Sequence, residues 1–213
     1  MTIPRFFLIS LFSILTLFLL SGRGKPKTAI TTLNTDNQSV APSLKNTIEK
    51  LQQKGGLAKK FVQQKNYNDR YCFLIDMSLP SGAERFFIYD LKQDSILSSS
   101  PVAHGNCFEY WLEGRRYSNV VGSGCTSLGK YRIGIPYTGK WGYSYKLHGL
   151  DSTNNNAFER TVVLHGHSCV PERAVNDEIC QSNGCPTVAP GFLLTLKKMI
   201  NGSSKPLLLW IFD

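Results

Sequence analysis

No Cys-x-x-Cys pair, no internal repeat and no cluster of Lys and Arg interleaved with aromatic residues occurs in these 213 residues. The first absence removes the ligand spacing of a structural zinc site, and the second removes a solenoid or array. The third removes the contact pattern of nucleic-acid modules, and no helix-turn-helix or zinc-finger spacing is present either, so nucleic acid is not expected as a partner. Negative charge is also short, since 15 acidic against 24 basic residues leave +9. Residues 1–24 carry only Arg5 and Arg23, so the rest of the chain holds 22 basic against 15 acidic residues, or +7. That excess suits an anionic envelope polymer or a membrane surface. A long apolar run is lacking as well. Residues 6–20 are apolar except for Ser10, Ser13 and Thr16, a stretch long for an export-signal core and short for a membrane span.

What is present is a chain with 42% hydrophobic and 18% charged residues, enough to bury one globular core. Residues 1–24 read as a signal peptide or an N-terminal anchor, with a membrane tether through residues 3–20 as the second reading. No cysteine follows the apolar run to carry a lipid. Residues 25–42, rich in Thr, Asn, Ser, Gln and Pro, read as a flexible linker. In residues 43–69, Ser43 reads as an N-cap, and Leu44, Ile48 and Leu51 recur at helical spacing until Gly55-Gly56. A second helix is expected over 57–64, and the Lys and Gln residues of both as a solvated face.

From residue 70 the period changes to two. Strands are expected over 71–77, 85–90 and 96–102 as a meander, then over 129–133, 144–147 and 161–164, with a helix over 192–200 and a last core strand over 206–212. The strand ending at Leu164 delivers His165 and, two residues on, His167. One loop later comes Gln181-Ser182-Asn183-Gly184-Cys185-Pro186, so a thiol and an imidazole could meet across one fold. Against that stands the ordinary fate of such residues, cysteines in disulfides and histidines as satisfied polar groups.

Five blocks then resemble one family in the right order: Arg85-Phe86-Phe87-Ile88-Tyr89-Asp90-Leu91, Ala103-His104-Gly105, Ser127-Leu128-Gly129-Lys130-Tyr131, Val163-Leu164-His165-Gly166 and Ser182-Asn183-Gly184-Cys185-Pro186. The sequence is similar to the L,D-transpeptidase (YkuD-like) catalytic domain, in its murein L,D-transpeptidase branch, over roughly residues 70–213. The resemblance implies a mainly β (α+β) fold, a β-sandwich of mixed sheets with N-terminal helices and a short C-terminal helix. It also implies no cofactor and no metal. Cys185 would be the nucleophile and His165 its base, with amides at Gly184 and Cys185 as oxyanion donors and a backbone carbonyl near the histidine to orient it. Sixteen residues separate His165 from Ser182 and fourteen separate His167 from it, so spacing alone leaves either histidine as the base. His104, Tyr131, His167, Ser182 and Asn183 would bind substrate or support the site, and Tyr143 and Tyr145 are further cleft candidates. Asn183 stands where many members have His, and Pro186-Thr187 where many have a hydrophobic residue followed by Arg or Asn.

The implied substrate is the stem peptide of peptidoglycan. Attack at the third-residue carbonyl would leave a thioester on Cys185, which an amine from a second stem would resolve into a 3-3 cross-link. Water in place of that amine would make the protein an L,D-carboxypeptidase, and an inactive envelope-binding module is the third reading. Carbapenems would acylate the same thiol. The protein would then work outside the cytoplasm, in the periplasm or cell envelope, free or anchored to the inner membrane. With Cys185 set aside, five cysteines remain, and Cys169 with Cys180 and Cys107 with Cys125 are the expected pairs, each stapling a long loop. Cys72, within a core strand, is then buried and free. A metal held by His165, His167, Cys169, Cys180 and Cys185 is the rival use of the same residues.

Overall fold

The computed structural model describes the backbone of residues 37–213 and side chains from residue 44. The expected signal or anchor, and the linker as far as residue 36, lie outside the described residues. The elements are α1 (Asn37–Lys65), β1 (Tyr71–Asp76), β2 (Phe86–Asp90), β3 (Ser95–Ser100), β4 (Val102–Ala103), β5 (Gly129–Gly139), β6 (Gly142–Gly149), β7 (Val163–Gly166), β8 (Thr187–Val188), α2 (Pro190–Asn201) and β9 (Leu208–Phe212). No described helix is long and apolar enough to cross a membrane.

All nine strands join one mixed sheet in the order β3-β2-β1-β9-β5-β6-β7-β8-β4. β3 and β4 occupy its two edges, yet only Pro101 separates them in the chain. One residue spans a few ångströms, so the sheet must curl until its edges meet. The two halves of this sheet thus face each other across one core, which is how the expected sandwich is realised.

Alternation along the strands builds two apolar layers. Phe73 and Ile75, Phe86 and Ile88, and Leu209 and Ile211 point inward, where they meet Tyr131, Ile133, Tyr145, Leu147 and Leu164 from the other half. Their neighbours Cys72, Leu74, Phe87, Tyr89, Leu208 and Phe212 point outward and are covered by α1. Strands β1, β2 and β9 are therefore apolar on both faces, which is why they read as near-continuous hydrophobic runs. The helix α2 closes one opening of the core through Phe192 and Leu196, started by Pro190 at its first turn.

Two expectations about the N-terminal helices change. A single helix replaces the expected pair, and it starts inside the segment read as linker. Leu44 and Ile48 are exposed, and the buried stripe is Leu51, Gly55, Ala58 and Val62. Gly55 does not break the helix because it is where the helix touches the sheet: a Cβ there would lie 2.5 Å from Tyr89 Cε1. Lys50 also leaves the solvated face, pairing with buried Asp76 at 2.9 Å, and Lys54 lies over the Trp210 and Phe212 rings.

The adjacent glycines give a direct test. Gly55→Val should lower the melting temperature, since forcing a side chain into the Tyr89 contact costs roughly 1–3 kcal/mol. Gly56→Ala, where a Cβ meets nothing within 4 Å, should raise it, since Ala is favoured over Gly in a helix by about 1 kcal/mol. Thermal unfolding of both variants checks the pair, and equal effects would contradict the packing.

Candidate active site

The far half of the sheet carries the chemistry. His165 sits in β7 directly opposite Thr187 of the parallel neighbour β8, and Cys185 lies two residues before Thr187. Both open into one cleft of about 410 Å³, whose lining includes Lys140, Trp141, Arg160, His167, Gln181, Ser182 and Asn183. No Asp or Glu lines it.

Backbone hydrogen bonds fix the turn that presents the thiol. Ser182 pairs with Gly105, donates its amide to the His104 carbonyl at 2.8 Å and accepts from the Asn106 amide at 2.7 Å. Its hydroxyl donates to the Cys185 carbonyl at 2.7 Å and accepts from the Gly184 amide at 3.2 Å. Gly184 adopts φ 103°, and a Cβ there would lie 2.6 Å from the Cys125 carbonyl oxygen, so both conformation and contact require glycine.

Hydrogen bonding separates the two histidines. His165 Nδ1 lies 3.2 Å from the Gly166 carbonyl, which can only accept, so Nδ1 carries the proton and Nε2 is the basic nitrogen. Nε2 is 3.0 Å from the Thr187 hydroxyl. His167 has the opposite arrangement: its Nδ1 accepts the Cys169 amide at 3.1 Å, which places the proton of the neutral ring on Nε2. His165 is buried and stacks on Trp141 at 5.4 Å between ring centroids and 19° between planes, while His167 meets the edge of the same indole. Burial lowers the His165 pKa, the Gly166 carbonyl opposing and nearby His167 adding to it.

Cys185 is free and half-buried. The Val163 amide donates to its sulfur at 3.4 Å. Burial raises the thiol pKa, opposed by that amide and by the Arg160 guanidinium. Thiol and imidazole are thus both held neutral at rest.

Both expected disulfides form, Cys107–Cys125 and Cys169–Cys180. The second borders the cleft and takes away two of the five ligands that a metal site would use. Cys72 is free and buried.

Of the other expected residues, Ser182, Asn183 and His167 reach the cleft. His104 and Tyr131 do not line it. His104 is 2% exposed, accepts from buried Arg85 at 3.0 Å, and is pushed down to about 4 by burial and that cation. Tyr131 is wholly buried with its hydroxyl on Ser127, and Tyr145 lies in the core beside Tyr143. Sequence reasoning missed Trp141, Lys140 and Arg160. Trp141 and Lys140 form the β5–β6 turn, whose Gly139 and Gly142 mark a hairpin without telling which surface its tip meets.

Thiol titration tests the cysteine arrangement. With no reductant, one thiol per chain should react quickly in the native protein and a second only after denaturation. Two fast thiols or none would contradict the burial difference between Cys185 and Cys72.

The family described as L,D-transpeptidase catalytic domain matches residues 44–210. No curated protein matches the chain. Among solved structures, an L,D-transpeptidase from Mycobacterium smegmatis is 10% identical, with a TM-score of 0.42 over 68% of this chain and 59% of that one. The helical cell shape determining protein Pgp2 from Campylobacter jejuni is 11% identical, with a TM-score of 0.44 over 76% and 56%. The LD transpeptidase LdtMt1, in complex with imipenem, is 9% identical, with a TM-score of 0.41 over 67% and 59%. This chain thus spans less than two thirds of the length of each. The family match takes in most of α1 and the sheet as far as Trp210 in β9 and covers well over half of the sequence, so the chain belongs to the L,D-transpeptidase catalytic domain family.

Proposed function

We propose that the protein is a peptidoglycan L,D-transpeptidase of the cell envelope that forms 3-3 cross-links through a thioester on Cys185. The observation that carries this reading is that one cleft is lined by both a free thiol, Cys185, and an imidazole, His165, whose Nδ1 proton is held by the Gly166 carbonyl. That carbonyl fixes the tautomer, so Nε2 can take the thiol proton as sulfur attacks the carbonyl of the third stem residue. The Gly166 carbonyl also stabilises the resulting imidazolium through the Nδ1–H that it already receives.

The Gly184 amide is committed to Ser182, which gives the developing oxyanion to the Cys185 amide. The imidazolium returns its proton to the departing amine of the fourth-position D-Ala. A thioester remains, and the amine of a second stem attacks it while His165 accepts that amine's proton. A cleft with Lys140 and Arg160 in its wall and no carboxylate suits a stem peptide, whose free carboxylates are anionic.

Incubation with purified disaccharide tetrapeptides tests the reading. Cross-linked dimers with free D-Ala are expected, and Cys185→Ala should remove them while keeping the fold. Tripeptides alone would make the protein a carboxypeptidase, and unchanged substrate a binding module. A carbapenem should add its mass to the wild type and not to Cys185→Ala. The acid limb of kcat/KM should fall below the ordinary imidazole range, because a lowered pKa keeps His165 neutral to lower pH. A limb at or above that range would contradict the burial of the base.

A further inference from the structure

Arg160, in the segment leading into β7, is half-buried and lines the cleft, yet no carboxylate among the described residues pairs with it. Among the described residues, all its side-chain hydrogen bonds go to neutral oxygens of one loop. Nη1 donates to the Ser118 carbonyl at 2.8 Å and to Ser127 Oγ at 3.0 Å, and Nη2 donates to Ser123 Oγ at 3.3 Å and to the Cys125 carbonyl. The planar fork thus holds four points of the 118–127 loop at once. The turn bearing the nucleophile rests on that assembly: the Cβ position of Gly184 lies 2.6 Å from the Cys125 carbonyl oxygen and 3.4 Å from Arg160 Nη2. The guanidinium charge is neutralised by nothing it touches, so its field falls on whatever anion forms beside it.

We propose that Arg160 is the positioning residue of the nucleophile, fixing the floor beneath Gly184 and Cys185 and supplying the positive charge against which the Cys185 thiolate forms. This rests on Cys185 being the reactive thiol. The other titratable groups around that thiol are His165 in β7 and His167 just after it, Tyr131 and Tyr137 from β5, and Lys140 from the β5–β6 turn. Tyr131 is neutral through the working range, its hydroxyl pushed up to about 12 by burial. The fixed charges facing the cleft are therefore Lys140, whose ammonium lies 4.9 Å from the Trp141 ring centroid, and Arg160, held by its four acceptors.

Carbamidomethylation of Cys185 by iodoacetamide, followed against pH by intact mass on the full chain with its disulfides intact, reads the thiolate without any substrate. In that step the S–C bond forms, the C–I bond breaks, iodide leaves and the thiol proton passes to solvent. Arg160→Gln should move the midpoint up by about one pH unit, a tenfold slower reaction at fixed pH below it. Arg160→Lys should keep the midpoint near that of the wild type, because it keeps the charge, and should lose about tenfold in kcat, because an ammonium cannot hold the four acceptors together. A folded Arg160→Gln variant with the wild-type midpoint overturns the charge role. Should Arg160→Gln not fold, an Arg160→Lys variant whose midpoint is displaced by a unit overturns it equally. Wild-type kcat in Arg160→Lys overturns the positioning role. If the wild type makes neither dimers nor tripeptides while the midpoints still order as stated, the peptidoglycan reading falls and the role of Arg160 at the thiol stands.

Discussion

Closure of the sheet across Pro101 is the constraint on which the rest of the structure depends. Because β3 runs almost directly into β4, a strand pairing with β2 at one edge is followed at once by one pairing with β8 at the other. The first half of the chain thereby delivers Ala103 to Gly105 alongside the segment that carries Cys185. The short β8 gains partners on both sides, β7 and β4, although it is only two residues long. A two-residue strand has no stability of its own. Its position, and that of the thiol before it, is imposed by neighbours whose order the closure sets.

That arrangement also explains the polar chemistry beneath the turn. Arg85 is fully buried and bonds the Val102 carbonyl through Nε at 3.0 Å and through Nη2 at 2.7 Å, just after Pro101. It then reaches His104, whose carbonyl holds Ser182. A buried cation is costly unless its donors are met, and here carbonyls of the closing segment meet them. The blocks around residues 85 and 103 therefore act at a distance from the reaction, through the backbone that shapes the nucleophile turn. Arg160 plays a parallel part on the other side of Gly184.

Much of this was legible in the sequence because it follows from local pattern. The near-continuous apolar runs at 71–76 and 86–90 and the Pro-started C-terminal helix each express a rule acting over a few residues. What escaped reading depends on contacts far apart in the chain. Gly55-Gly56 carries the signature of a helix break, and only the Tyr89 ring, 34 residues on, turns Gly55 into a packing contact. Spacing leaves His165 and His167 alike, and they differ in which backbone group each Nδ1 meets. His104 reads as a cleft residue because it sits in the matched block Ala103-His104-Gly105, and it is instead buried against Arg85. Arg160 carries no motif at all, since its side-chain acceptors are two serine hydroxyls and two carbonyls of the 118–127 loop.

The bridge between Cys169 and Cys180 has a further consequence. It ties together the two ends of the segment that connects His167 to Gln181, and both its sulfur-bearing residues border the cleft. Folding of the sheet and completion of the site are therefore separable events. With the bridge reduced, the strands can still pair while the segment between His167 and Gln181 samples many shapes, because the entropy that the bridge removes has not been removed. Closing the bridge removes that entropy and draws in one wall of the cleft from outside the buried core of the sheet.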